Sequence, residues 1–185
     1  MNPGEDLLTA AEAVLAILSR QQLDAVVIGA VALAAHQYVR QTEDIDLALN
    51  GELPVLRRTV AALREAGFTA ELREPDAEDP LGGVIDVTGP FGVVQIISYA
   101  GRFPAVIEDA LREATLVARQ GSPLRIAPLA HLVALKLYAG GYKSKGDIVE
   151  LLLRNPGADL AEVRAVCARY RLEGLEELIA EARAL

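Results

Sequence analysis

The chain reads as an α/β (α+β) protein, a mixed sheet flanked by helices with a C-terminal helical extension. Three observations predict this class. Short apolar runs of strand length alternate with longer segments of helical periodicity as far as residue 127. From residue 128 onward only helical patterns remain. Between residues 28 and 49 an apolar strand turns through Gly29 into a helix and returns as a second strand carrying Asp44 and Asp46. Residues 1–127 are therefore expected to form a core, and residues 128–185 a helical region packed on it.

Residues 7–18 place apolar side chains at helical spacing and predict the first helix. Residues 24–28 are the first strand, Gly29 the turn, and residues 31–38 a helix whose N-terminal amides are placed to meet a phosphate. After the strand with the two acids, a helix over 54–66 closes at Gly67, and 68–73 is a strand. Residues 74–83, rich in acid, Pro and Gly, form a surface loop. Strands over 84–88 and 93–97 are joined through Gly89-Pro90-Phe91-Gly92 as a hairpin. With Pro90 and Phe91 as its central residues, Asp86 lies opposite Gln95 on one sheet face.

A helix over 104–113 and a short strand over 124–126 complete the first part. The next helix starts at Pro128, runs through Leu137 and stops at Gly140-Gly141. Ser144 and Asp147 match an S-x-x-[DE] cap, so the following helix is expected over 145–153 with Asp147 as a capping acid. Asn155-Pro156-Gly157 breaks the pattern before helices over 159–170 and 173–182. Cys167 follows Leu160, Val163 and Val166 at helical spacing and is read as core packing; His36 and His131 are lone histidines read as packing or surface residues.

The two acids carry the chemistry. Alternation along a strand puts Asp44 and Asp46 on one face with Cα atoms roughly 6–7 Å apart, while Ile45 and Leu47 point the other way. Asp46 lies in an apolar run, where an unpaired carboxylate costs on the order of several kcal/mol. Arg40 is one ion partner within reach of sequence, and it accounts for at most one of the two acids. A divalent cation between them removes the repulsion, and magnesium takes such oxygen ligands together with substrate phosphates. A solvated strand start is the alternative.

The run Gly29-Ala30-x-Ala32, then Arg40-x-Thr42-x-Asp44-Ile45-Asp46-Leu47, resembles the nucleotidyltransferase superfamily typified by DNA polymerase beta, in its small prokaryotic toxin-type and abortive-infection form. Residues 135–148, which hold Lys136, Lys143, Lys145 and Asp147, are similar to the K-L-x-A…[RK]-x-K-x-D-I segment of that group. The resemblance covers most of residues 26–153 and implies a nucleotidyltransferase-like mixed sheet. It further implies Mg2+ (or Mn2+) held by Asp44 and Asp46, and a nucleoside triphosphate (NTP) bound near Gly29, Ala30, Arg40, Thr42, Lys136, Lys143 and Lys145.

Members of the superfamily carry a third acid on a later strand. Here Gln95 stands at the position that looks equivalent, and Asp86, its expected cross-strand neighbour, would supply the charge; Asp44, Asp46 and Asp86 are then the catalytic acids. The implied reaction moves a nucleoside monophosphate to an acceptor, whether an RNA 3′ end, a protein or a small molecule. Relatives that act as toxins imply a tRNA or protein acceptor and a co-encoded partner. Ala30, where members more often carry Ser or Gly, and Gln95 support a second expectation: a catalytically silent nucleotide-binding or partner-binding module of the same fold.

Composition narrows the partners. A net charge of −8 argues against holding long nucleic acid by general electrostatics. Yet the only lysines, Lys136, Lys143 and Lys145, fall within ten residues, which suits a triphosphate pocket. No stretch predicts a membrane span, the first residues lack a basic secretory n-region, and one cysteine forms no internal disulfide, so a cytoplasmic protein is expected.

Overall fold

The computed structural model describes residues 3–76 and 81–184. Helix α1 (Pro3–Arg20) is followed by β1 (Ala25–Ile28), α2 (Gly29–Ala35), β2 (Asp44–Leu49), α3 (Leu53–Glu65) and β3 (Thr69–Arg73). Then come β4 (Gly83–Gly89), β5 (Gly92–Ser98), α4 (Pro104–Glu113), α5 (Leu129–Ala139), α6 (Gly141–Arg154), α7 (Leu160–Arg169) and α8 (Leu175–Ala184). The five strands make one mixed sheet in the order β1-β2-β5-β4-β3, in which β2 and β5 are parallel and the other pairs antiparallel. The α+β class expected from the sequence is the one observed.

Alternation along the strands builds the core. Ile45, Leu47 and Leu49 of β2 lie in register with Val94, Ile96 and Ser98 of β5, all buried; helix α1 packs against these two strands and α3 against β3 and β4. Asp44 and Asp46 point to the opposite face, where α2 lies beside β2. The apolar core is continuous from Leu7 in α1 to Ala182 in α8. α5 packs on α7 and α6 on α8. Cys167 is 2% exposed and packs in that core as expected. Among the described residues no helix is long and apolar enough to cross a membrane.

The hairpin has the expected register: Asp86 pairs with Gln95 across β4 and β5, and Gly89 with Gly92 around a Pro90-Phe91 turn. Helix α1 extends four residues before and two after the expected 7–18, and three further elements differ from expectation. Helix α2 begins at Gly29 and ends at Ala35, short of residue 38; His36 there bonds the carbonyl of Ala127 through Nε2 at 2.8 Å. The expected strand over 124–126 is instead two isolated bridges, Ile126 with Val27 of β1 and Arg125 with Val117. Helix α6 begins four residues early, at Gly141, because Gly140 adopts φ +66° and ends α5 while starting α6 at once. That places Ser144 inside the first turn, so the expected Ser144–Asp147 cap does not form. Residues 77–80 of the acid-rich loop lie outside the described residues.

Candidate active site

The site is built where β1, α2 and β2 meet. Gly29 turns the chain from β1 into α2 with φ +67°, a conformation that side chains with a Cβ rarely adopt. A Cβ on Gly29 would overlap the carboxylate of Asp46, so the backbone and the acid are in direct contact. Ala30, next along, is buried, which leaves its backbone as its only polar contribution. Thr42 donates its hydroxyl to the Asp44 carboxylate. The strand register carries Ile28 beside Asp46 and Gln95 on its other side.

Electrostatics separate the two acids from ordinary surface carboxylates. Burial, reinforced by the charge of Asp44, pushes the Asp46 carboxyl up to about 6, against the opposing pull of Lys136, Arg40 and Lys143. The Tyr99 hydroxyl, buried behind it, is raised by burial and by the charges of Asp46 and Tyr138. Asp46 is thus a carboxylate whose negative charge the fold incompletely compensates. Among the described residues no group of three or more His, Cys, Asp or Glu could hold a metal by itself. Two same-face carboxylates, one under-compensated, suit a divalent cation that takes its remaining ligands from phosphate and water, which is how magnesium is usually bound.

The cations converge on the same place. Lys136 Nζ lies 2.6 Å from Asp147 Oδ2, and Arg40 Nη1 lies 3.2 and 3.4 Å from the two Asp147 oxygens. Asp147 is 3% exposed. Early initiation of α6 turned this acid from the expected cap into an ion-pair centre. In sequence it reads as a capping acid, although a signal for burial is present: Asp147 shares a helix face with buried Leu151, one turn on. Lys143 and Lys145 are exposed on the first turns of α6, with Lys143 close enough to act on Asp46.

Asp44, Asp46, Gly29, Ala30, Thr42, Arg40, Lys136 and Lys143 are therefore gathered around one end of β2. Asp86 is not among them. It stands in the same row of the sheet, Asp46–Gln95–Asp86–Glu71, two strands away and thus about 9–10 Å off at the backbone. Arg73 Nε bonds Asp86 at 2.7 Å and the Gln95 amide donates to it at 2.7 Å. Burial works to raise the Asp86 carboxyl, but these hydrogen bonds and the charge of Arg73 outweigh it and hold the group below its usual range.

The mixed five-stranded sheet that carries Asp44 and Asp46 on β2 has the fold of solved nucleotidyltransferases. Solved structures bear this out. The chain resembles the solution structure of the antibiotic-resistance factor ANT(2″)-Ia at 16% identity, covering 91% of this chain and 92% of that one with a TM-score of 0.54. A crystal structure of ANT(2″)-Ia in complex with adenylyl-2″-tobramycin gives 17% identity, 89% and 96% coverage and a TM-score of 0.54. No protein-family model and no curated protein matches the chain in sequence.

Proposed function

We propose that the protein is a metal-dependent nucleotidyltransferase that moves a nucleoside monophosphate from an NTP to an acceptor hydroxyl or amine. The observation that carries this reading is the pair Asp44 and Asp46, with Asp46 pressed on Gly29 and faced by Lys136, Arg40 and Lys143. Magnesium or manganese, when bound with the triphosphate, would supply charge neutralisation at the reacting phosphate. Asp44 and Asp46 would hold it. Lys136, Arg40 and Lys143 would orient the triphosphate and stabilise the negative charge that builds on the departing pyrophosphate. The backbone at Gly29 and Ala30 would pack against the phosphates, and Thr42 would keep Asp44 in position. Lys145 would meet the acceptor, which belongs to one of three classes: an RNA end, a protein, or a small molecule.

In this reading Asp86 is the third acid, although it stands two strands from Asp46 with Gln95 between them and is held by Arg73, so it would have to act across Gln95. Gln95, an amide beside Asp46, favours a second reading in which the fold binds nucleotide or a co-encoded partner without transferring anything. Thermal unfolding with Mg2+ or Mn2+ and an NTP tests the first. A ligand at 100 times its dissociation constant stabilises the native state by about 2.7 kcal/mol, a clear rise in Tm. The rise is expected in the wild type and should vanish in the folded Asp44→Ala, Asp46→Ala double variant. A rise that survives in the double variant refutes the metal assignment.

A further inference from the structure

Asp147 is the charged side chain that neither a helix cap nor the metal pair explains. It is buried, it belongs to α6, and it receives Lys136 from α5 and Arg40 from the approach to β2. Ammonium carries three N–H donors and guanidinium five. Asp147 engages one N–H of Lys136 and only the Nη1 arm of Arg40, so both cations retain donors while their positions are set. Both also act on Asp46 from where Asp147 holds them. Burying such a cluster adds little net stability, because desolvation offsets the Coulomb attraction. Its consequence is orientation.

We propose that Asp147 is a positioning residue that fixes Lys136 and Arg40 as a preformed cradle for the phosphates of the nucleotide, so that helix α6 completes the site. This deepens the nucleotidyltransferase reading and rests on it for the identity of the ligand. The proposal has a sign that charge alone does not give. Asp147→Asn removes a negative charge next to an anion site, which by relieving Coulomb repulsion should tighten phosphate binding. Loss of a preorganised cradle should weaken it.

The test is calorimetric titration of the full-length chain with inorganic triphosphate in the absence of metal, well below each variant's Tm, followed by titration with Mg-ATP. Asp147→Asn is expected to bind triphosphate about ten-fold more weakly than wild type. In a Lys136→Ala background the same substitution should cost less than about three-fold, because its main object is gone. Asp147→Glu, which keeps the charge and shifts it by one methylene, should fold and show an intermediate loss. It decides the matter alone if Asp147→Asn fails to fold: a loss supports the proposal and wild-type affinity overturns it. Equal or tighter triphosphate binding by Asp147→Asn also overturns it, whatever Mg-ATP does, as does a wild type that binds no triphosphate. Triphosphate binding that depends on Asp147, with no response to Mg-ATP, leaves the cradle standing and removes the transfer reading.

Discussion

Substituting Gly29 by alanine probes the contact on which the site is built. Two costs are expected. An L-residue held at φ +67° loses about 1–2 kcal/mol relative to glycine. The new methyl also overlaps the Asp46 carboxylate, and forcing an extra methyl into such a packed position costs about 1–3 kcal/mol. Gly29→Ala should thus destabilise by roughly 2–5 kcal/mol in urea denaturation. Gly101, at φ +72° with nothing within 4 Å of its Cβ position, is the control and should lose only the backbone part on conversion to alanine. In an Asp46→Ala background the carboxylate overlap is gone and only the Cβ at position 46, 3.1 Å away, remains, so the Gly29→Ala cost should fall most of the way to the Gly101→Ala value. Additivity of Gly29→Ala and Asp46→Ala would show that the two residues do not touch and would refute the contact.

Other substitutions test neighbouring parts of the site. Because the folded Asp46 carboxyl is raised to about 6, its favourable contribution is complete at low pH and lost as pH rises through 6; Asp46→Asn should be more stable than wild type by about 1–3 kcal/mol at pH 8, with the advantage gone at pH 4, as read by denaturation at both values. Lys136→Ala should weaken Mg-NTP binding by about 1–3 kcal/mol in calorimetry, and exposed Lys143→Ala by less. Asp86→Asn should lower nucleotidyl transfer about ten-fold while leaving Mg-NTP affinity nearly unchanged, and full transfer would remove Asp86 from the catalytic set. His131 is fully buried with neither ring nitrogen hydrogen-bonded, and burial lowers its pKa; stability should fall as pH drops below about 6.5, where the unfolded chain takes up the proton, and His131→Leu should remove that slope.

Local patterns revealed the fold because they agreed with its long-range pairing. Alternation around Asp44 and Asp46 fixed their shared face, and the two-residue Pro90-Phe91 turn fixed the Asp86–Gln95 register. The site was legible where it lies within one segment, from Gly29 to Asp46. It was hidden where it depends on distant segments meeting: Arg40 and Asp147 are 107 residues apart in the chain and form an ion pair only in the folded protein. Ser144 misled because a capping motif describes a local preference, whereas Gly140 at positive φ lets α6 start earlier. Tyr99 gave no signal, since a tyrosine after a strand is common and its relation to Asp46 is purely spatial.

The most direct test of nucleotidyl transfer compares triphosphates labelled at the α- and γ-phosphates, incubated with the wild-type chain, Mg2+ or Mn2+, and an extract holding RNA, protein and small molecules. The expected result is α-label, and no γ-label, on one class of acceptor, with pyrophosphate released and the signal lost in Asp46→Asn. Absence of α-label from all four nucleotides, or equal labelling by wild type and Asp46→Asn, would contradict transfer at this site.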